Sequence, residues 1–190
     1  MSNIEPLQRH PLHSTAAALQ AVLNDIGSGR NGIKSQTFNA SAELRPIVIY
    51  GLSDTRTACQ AAVEQGVREV TFMSPTGVAH SRGPQWLKEL LNNTSVMFSE
   101  LEIIGILDCG PYEGHVMNAL HSGMRHVHYT GEGEAAEKLN LIAEKTGAVI
   151  HHSFPEVLDL KGESDVMAAC REWFKVKDLP GKGSLATQRV

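Results

Sequence analysis

The amino-acid sequence predicts an α/β fold with a mostly parallel sheet, because one kind of junction occurs in it three times. At each junction a helix-like segment ends in Gly66, Gly123 or Gly147, and a short run rich in strand-forming residues follows at once. Glycine adopts the left-handed conformation that closes a helix, and β-branched residues suit a pleated strand. Repeated helix-to-strand junctions are typical of parallel strands that alternate with crossover helices.

The alternation begins after Pro46, and apolar runs and helical spacing define the elements that follow. Pro84 suits the first position of a helix, and Trp86, Leu87 and Leu90 then form one apolar stripe. Strands are expected at 47–52, 67–74, 101–107, 124–130 and 148–153, and helices at 55–65, from 84, at 112–121, through 135–143 and at 163–174. Five strands with four crossovers predict a three-layer, flavodoxin-like or Rossmann-like sheet with extra N-terminal and C-terminal helices.

Three regions are expected along the 190 residues. Residues 1–45 hold an amphipathic helix and a mobile linker, because Leu19, Val22, Leu23 and Ile26 recur at helical spacing before a polar stretch. Residues 46–176 form a single α/β domain, which suits a chain that is 42% hydrophobic. Residues 177–190 are expected to be a flexible C-terminal tail.

Charge and cysteine content exclude several classes of partner. Residues 46–153 carry 12 acidic and 7 basic side chains, so the phosphate backbone of nucleic acid is repelled and no nucleic-acid partner is expected. No window approaches the roughly 20 apolar residues of a membrane span, and no signal peptide begins the chain, so no membrane association is expected. Three cysteines without a CxxC pair suit a reducing compartment, which predicts a cytoplasmic protein.

The expected ligand site lies where parallel strands end, and Asp108 is its leading residue. Asp108 follows the most apolar strand, which we expect at the centre of the sheet. If the first and third strands are neighbours, Asp54 faces Asp108, and the two carboxylates can coordinate Mg²⁺ or act as acid and base. The alternative is that both carboxylates accept backbone N–H bonds at the start of the following helices.

Cys109 is the candidate nucleophile of this loop. It precedes an expected helix N-terminus, where the helix dipole favours a thiolate. The sixth residue after it is His115 and not arginine, which excludes a phosphatase-type cysteine loop. The alternative is a small buried thiol. Residues 51–55 lack the second glycine of a nucleophile elbow, so Ser53 is not predicted to be a nucleophile.

Polar residues in the loops after the strands are the candidate ligand contacts. The loop of residues 75–83 has the composition of a flap, in which Arg82 is available to an anionic ligand, or else it is an ordinary surface connection. Residues 131–136 match the pattern GxGxxA, but Glu132 and Glu134 would repel a pyrophosphate and instead favour a negatively capped helix. The predicted ligand-binding residues are Ser53, Asp54, Ser74, Thr76, Arg82 and Thr130.

Histidines form the other polar group on the expected strands. His126 and His128 lie on one face of a strand, and His151 and His152 lie on the next strand in sequence, so two of the four are expected to converge. Two imidazoles are too few for a typical protein metal site, and no metal residues are predicted. Polar residues such as Thr71 and His126 on strands expected to be apolar indicate strands near a sheet edge, or a subunit interface.

One short segment resembles a known type of unit. Residues 66–75 resemble the βα units of many proteins, including the small aldolase barrels. The resemblance implies only a βα unit, because no lysine is placed for Schiff-base chemistry.

Three functions fit these residues, and the sequence leaves open whether the protein is an enzyme. The first is a small-molecule-binding α/β domain, with an anionic metabolite among its ligands and its site at the carboxyl ends of the strands. The second is a hydrolase or lyase that uses Asp108 with Asp54 and Mg²⁺. The third is a non-catalytic assembly protein, in which the N-terminal helix and the polar strands form a homo-oligomer.

Overall fold

The computed structural model describes residues 44–175, and the α/β fold with a parallel sheet is confirmed there. The predicted N-terminal helix and all but the last two residues of the predicted linker lie outside this range, as does the C-terminal tail. The strands are β1 (Ile47–Val48), β2 (Glu69–Met73), β3 (Glu102–Asp108), β4 (His126–His128), β5 (Val149–His151) and β6 (Leu158–Asp159). The helices are α1 (Leu52–Glu64), α2 (Val78–Ser81), α3 (Gly83–Met97), α4 (Glu113–His121), α5 (Glu134–Thr146) and α6 (Val166–Phe174).

All pairings between these strands are parallel, and the strand order is β5-β4-β3-β2-β1-β6. The alternation of strands and helices roughly matches the predicted Rossmann-like or flavodoxin-like arrangement. The sheet has six strands and not five, because the two-residue strand β6 pairs with β1. β6 was not predicted, since Leu158–Asp159 carries no β-branched run.

The three glycine junctions have the backbone conformation that the sequence predicts. Gly66, Gly123 and Gly147 have φ angles of 70°, 80° and 71°. After Gly147, the N–H of Ala148 donates to the carbonyl of Ala143 at 2.8 Å, so the chain turns directly from α5 into β5. An L-residue with a side chain is strained at such φ angles, which explains why glycine recurs at these helix ends.

The sheet has two faces with different partners. The helix face carries Ile47, Phe72, Leu107 and Val127, which belong to one buried cluster with apolar residues of α1 and α3 to α6. The opposite face, which we call the histidine face, carries Val48, Met73, Ile106, Asp108, His126, His128 and His151, as the register of the parallel pairs requires. Val48, Met73 and Ile106 form a separate small cluster, against which Leu44 and Phe154 pack.

For two local features, one of the two alternatives that the sequence offers is not found. The segment 75–83 is not an open flap, because it contains the short helix α2, in which Val78 and Ala79 are buried. The polar residue Thr71 does not mark an edge strand either, because β2 lies between β1 and β3 inside the sheet. The polar residues of β2 and β4 instead share the histidine face.

The helices between residues 44 and 175 include none that is long and apolar enough to cross a membrane.

Candidate functional site

The polar ends of three neighbouring strands form one row on the histidine face. Asp108 at the end of β3 is the register partner of His128, and His128 is the register partner of His151. Side chains at paired positions of parallel strands point to the same side of the sheet. The carboxyl ends of β3, β4 and β5 therefore bring one carboxylate and two imidazoles side by side.

The carboxylate of Asp108 is held by the loops that follow β2 and β3. The Thr76 hydroxyl donates to Oδ2 at 2.8 Å, and the backbone N–H of Gly110 donates to Oδ1 at 2.8 Å. The backbone N–H of Asp108 donates to Oγ of Ser74 at 2.9 Å. Three predicted site residues, Ser74, Thr76 and Asp108, thus lie together, and the predicted backbone N–H bond to Asp108 is present.

Asp108 is buried, and its pKa nevertheless lies below the ordinary aspartate value. Burial raises this pKa, but the His128 side chain, the Gly110 N–H and the Thr76 hydroxyl together outweigh burial and lower it. Asp108 is therefore ionised at neutral pH, and its charge is satisfied by fixed neighbours.

His128 is the imidazole that Asp108 orients. Its Nδ1 atom lies 3.3 Å from Oδ1 of Asp108, and its side chain is 16% exposed. That separation is longer than a well-formed charge-assisted hydrogen bond, and Nδ1 has no aligned hydrogen-bond partner among the described residues. The carboxylate favours the tautomer with the proton on Nδ1, which leaves Nε2 as a hydrogen-bond acceptor. The ring of Phe154 contacts this imidazole, with 5.4 Å between centroids.

His126 and His151 converge, as the sequence predicts for two of the histidines. Nδ1 of His126 lies 3.1 Å from Nε2 of His151, so one ring donates and the other accepts. The pKa of His151 is lowered to about 4. Burial is the largest cause, and the neighbouring imidazoles of His126, His128 and His152 add to it. The pKa of His126 is also lowered, mainly by burial and in addition by the positive charge of Arg125. Both rings are therefore neutral at neutral pH.

No group of three or more His, Cys, Asp or Glu side chains within residues 44–175 is arranged to hold a metal ion. Asp54 in particular does not face Asp108. The assumption that the first and third strands are neighbours is wrong, because β2 separates β1 from β3. The Asp54 carboxylate instead accepts the backbone N–H of Tyr50 at 2.7 Å. The paired-carboxylate Mg²⁺ site therefore lacks its expected geometry.

Thr130 lines a hollow at the end of β4, apart from the Asp108–His128 pair. This hollow has a volume of about 360 Å³ and is bounded by Thr130, the loop from Gly131 to Gly133, the first turns of α5 and His152. His152 is fixed here, since its Nδ1 donates to the Tyr129 carbonyl at 3.0 Å and its Nε2 accepts from Asn140 at 3.2 Å. Glu132 and Glu137 also line the hollow, which makes its wall acidic.

The remaining predicted residues lie apart from Asp108 or are buried. Ser53 lines a hollow of about 400 Å³ beside Arg56, Phe98 and Met167. The guanidinium of Arg82 lies 5.2 Å from the centre of the Trp86 ring. Cys109 is 2% exposed. Its pKa is raised to about 12, mainly by burial and in addition by the negative charge of Asp108. Cys109 is therefore a protonated thiol at neutral pH, and a thiolate nucleophile finds no support in this geometry.

His128 and Phe154 were missed as site residues. His128 was considered as a metal ligand or as part of a polar stripe at a sheet edge or interface, although it ends its strand at the level where Asp108 ends β3. The signal available in the sequence was the HxH spacing on the strand after Asp108. Without the strand order, that spacing did not show that the two residues are neighbours.

The chain matches no protein family and no curated protein sequence.

Proposed function

We propose that this chain is a small-molecule-binding α/β protein whose ligand contacts His128 at the carboxyl ends of β3 and β4. The observation that carries the proposal is the Asp108–His128 pair, which is held by Thr76 and Gly110. Buried carboxylates that orient an imidazole are concentrated at functional sites, because the surrounding structure must compensate for the buried charge.

The contacts of Asp108 indicate different roles for Asp108 and His128. Both oxygens of Asp108 already accept bonds from Thr76 and Gly110, so this carboxylate is a positioning residue. Nε2 of His128 is the acceptor that remains for a ligand with an N–H or O–H group. Phe154 supplies an apolar surface beside the same ring. A small polar molecule with a donor next to an apolar part fits this combination.

The charge of the surroundings bears on the ligand class. Asp108 is anionic, the buried imidazoles of His126 and His151 are neutral, and Arg82 is engaged with Trp86. A neutral or cationic ligand is therefore favoured over the anionic metabolite that the sequence suggests. The ligand screen described below therefore also includes anionic compounds.

A second candidate function is acid–base catalysis of hydrolase or lyase type, and the same pair favours it. An imidazole whose Nδ1–H faces a carboxylate accepts a proton at Nε2, and the carboxylate stabilises the imidazolium that forms. In that case His128 is the base and Asp108 orients it. The described residues contain no group of three or more His, Cys, Asp or Glu arranged to hold a metal ion, so this candidate step uses the His128–Asp108 pair alone.

The test is a thermal-shift screen of the full chain against neutral polar compounds, amines, sugar phosphates and Mg²⁺. A ligand at 100 times its Kd stabilises the folded chain by about 2.7 kcal/mol. We expect one class to raise the Tm of the wild type, and His128→Gln to abolish that shift. Asp108→Asn is expected to weaken the shift, because an asparagine at this position no longer fixes the imidazole of His128.

His121→Gln is the matched control, since His121 lies on the exposed surface of α4 and its Nδ1 donates to the carbonyl of Met117 in its own helix. This variant should keep the full ligand shift. An equal shift in His128→Gln would contradict the proposed site. If a hit is also turned over, loss of kcat in His128→Gln with little change in KM would favour the catalytic candidate.

A further inference from the structure

A hollow on the outer side of α1 lies apart from the Asp108–His128 pair. Its volume of about 400 Å³ is in the range of small-molecule sites. Its walls are the first turns of α1, Phe98 directly after α3, and Met167 of α6. α1 packs on the helix face of the sheet, whereas Asp108 and His128 lie on the histidine face. The hollow and the pair are therefore on opposite sides of the sheet.

The residues that α1 contributes to the hollow form one polar stripe. The stripe consists of Ser53, Arg56, Thr57 and Gln60. These positions are spaced as i, i+3, i+4 and i+7, so they share one side of the helix. Ala58 and Ala62 lie on the other side and are fully buried. α1 thus presents one guanidinium, two hydroxyls and one amide to the hollow.

Arg56 gives the hollow a positive charge without a partner. Among the described residues, none forms an ion pair or a side-chain hydrogen bond with Arg56. The Asp54 carboxylate lies on a different side of α1 and accepts a backbone N–H at 2.7 Å. The carboxylate of Glu64, further along the helix, is held by Arg171 at 2.8 Å. The guanidinium of Arg56 is therefore free to pair with an anion from solution.

The other residues of the hollow form an apolar wall. This apolar wall consists of Leu52, which is 42% exposed, and of Phe98 and Met167, which are half-buried. Removing apolar ligand surface from water against such side chains is favourable. A guanidinium binds a carboxylate through two parallel hydrogen bonds. An unpaired guanidinium beside an apolar wall suits a molecule with one carboxylate and an apolar body.

We propose that this hollow binds a small organic acid, whose carboxylate pairs with Arg56 and whose apolar body lies against the apolar wall. Ser53 and Thr57 provide further hydroxyl donors in the same hollow. A phosphate monoester is disfavoured, because it carries nearly two negative charges and the hollow holds one cation. Glu100, which acts electrostatically on Cys59 of the same helix, also opposes a second negative charge.

The test is isothermal titration calorimetry of the full chain with probes that separate charge from apolar surface. The acids are hydrocinnamate and octanoate. Hydrocinnamyl alcohol carries the apolar body alone, acetate carries the carboxylate alone, and inorganic phosphate carries the higher charge. We expect at least one acid to bind with a Kd of about 1 mM or tighter, and the other three probes to bind at least about 10-fold more weakly.

The outcomes of the titration decide the ligand class. Absence of binding by both acids would overturn the proposal. Equal affinity for hydrocinnamate and its alcohol would overturn the ion pair, and equal affinity for an acid and acetate would overturn the role of the apolar wall. Phosphate that binds as tightly as the acids would overturn the preference for a carboxylate.

Variants of the hollow locate the bound acid. Arg56→Met removes the charge and keeps an apolar stem, and we expect it to weaken binding at least about 10-fold. Leu52→Gln should weaken binding about threefold or more, because it removes part of the apolar wall. Arg68→Met is the matched control, since Arg68 is exposed and does not line the hollow, and it should keep the wild-type Kd. Wild-type affinity in Arg56→Met, or an equal loss in both arginine variants, would overturn the proposed site.

Discussion

Tyr129 and Gly131 show how closely two single residues fit at the end of β4. Tyr129 is fully buried, and a Cβ atom added to Gly131 would lie 2.1 Å from its phenolic oxygen. A contact under 3 Å cannot be accommodated without movement, and a fully buried ring can move only if its packed neighbours move with it. Glycine is therefore required at position 131 because of space.

We expect Gly131→Ala to lower the free energy of unfolding by about 1–3 kcal/mol, the usual cost of overpacking a core. The measurement is urea denaturation followed by circular dichroism. Gly114→Ala is the matched control, because Gly114 lies in α4 and nothing is within 4 Å of its added Cβ. Alanine is the better helix former, so the control should be neutral or slightly stabilising. If both variants lost the same stability, the close contact with Tyr129 would not be the cause.

The positions of individual residues were predictable where the signal lies at the end of one strand. Asp108, Ser74 and Thr76 lie at strand ends, and the structure brings them together. The environment of Cys109 was not predictable from the helix-dipole argument, because burial raises its pKa and outweighs the dipole. Burial depends on which elements pack over a residue, and a single loop sequence does not state that.

The neighbouring strands β4 and β5 carry the paired imidazoles of His126 and His151. Folding lowers the pKa of His151 from its ordinary value of 6.5 to about 4, chiefly through burial. An unfolded chain therefore binds a proton at this residue at a pH where the folded chain does not. The stability from this group is complete above about pH 6.5 and falls as the pH drops from 6.5 to about 4.

We expect this residue to account for about 3 kcal/mol of the stability lost over that pH range. His126, whose pKa is lowered in the same direction, adds to the loss. The measurement is urea denaturation at a series of pH values. His151→Leu should reduce the slope by up to about 1.4 kcal/mol per pH unit. His121→Leu, on the exposed surface of α4, should keep the wild-type slope. A wild-type slope in His151→Leu would refute the assignment.

At the level of elements, local chemistry predicted the long helices and the apolar strands. The helix from Pro84 and the strand of β3 are found within one or two residues of their expected bounds. The elements that were missed, β6 and α2, have two and four residues. Such short elements form because tertiary neighbours stabilise them: β6 pairs with β1, and Val78 and Ala79 of α2 are buried.

Over the described part of the molecule, the three cysteines report on global unfolding. Cys59, Cys109 and Cys170 are at most 2% exposed. Burial is the main cause that raises their pKa values to about 12, about 12 and about 11. Cys59 and Cys170 are neighbours where α1 packs on α6, and Cys109 lies in the loop after β3, so the thiols sample two regions of the fold.

We expect all three thiols to be unreactive toward a chromogenic disulfide reagent in native buffer, because only the thiolate attacks. In concentrated urea all three should react. In a urea titration, the labelled fraction should follow the circular dichroism transition. Stoichiometric labelling of one thiol in native buffer would show that its region opens on its own.

The sequence by itself determined the α/β class, the helix-to-strand junctions and the position of Asp108 directly after a buried strand. These depend on local properties: glycine at positive φ, apolar spacing, and polar residues directly after a buried strand. The tertiary structure alone decided the strand order, the pairing of Asp108 with His128, the separation of Asp54 from Asp108, and the protonation of Cys109. Those depend on which distant segments become neighbours, since pairing energy and burial arise only after the chain has folded.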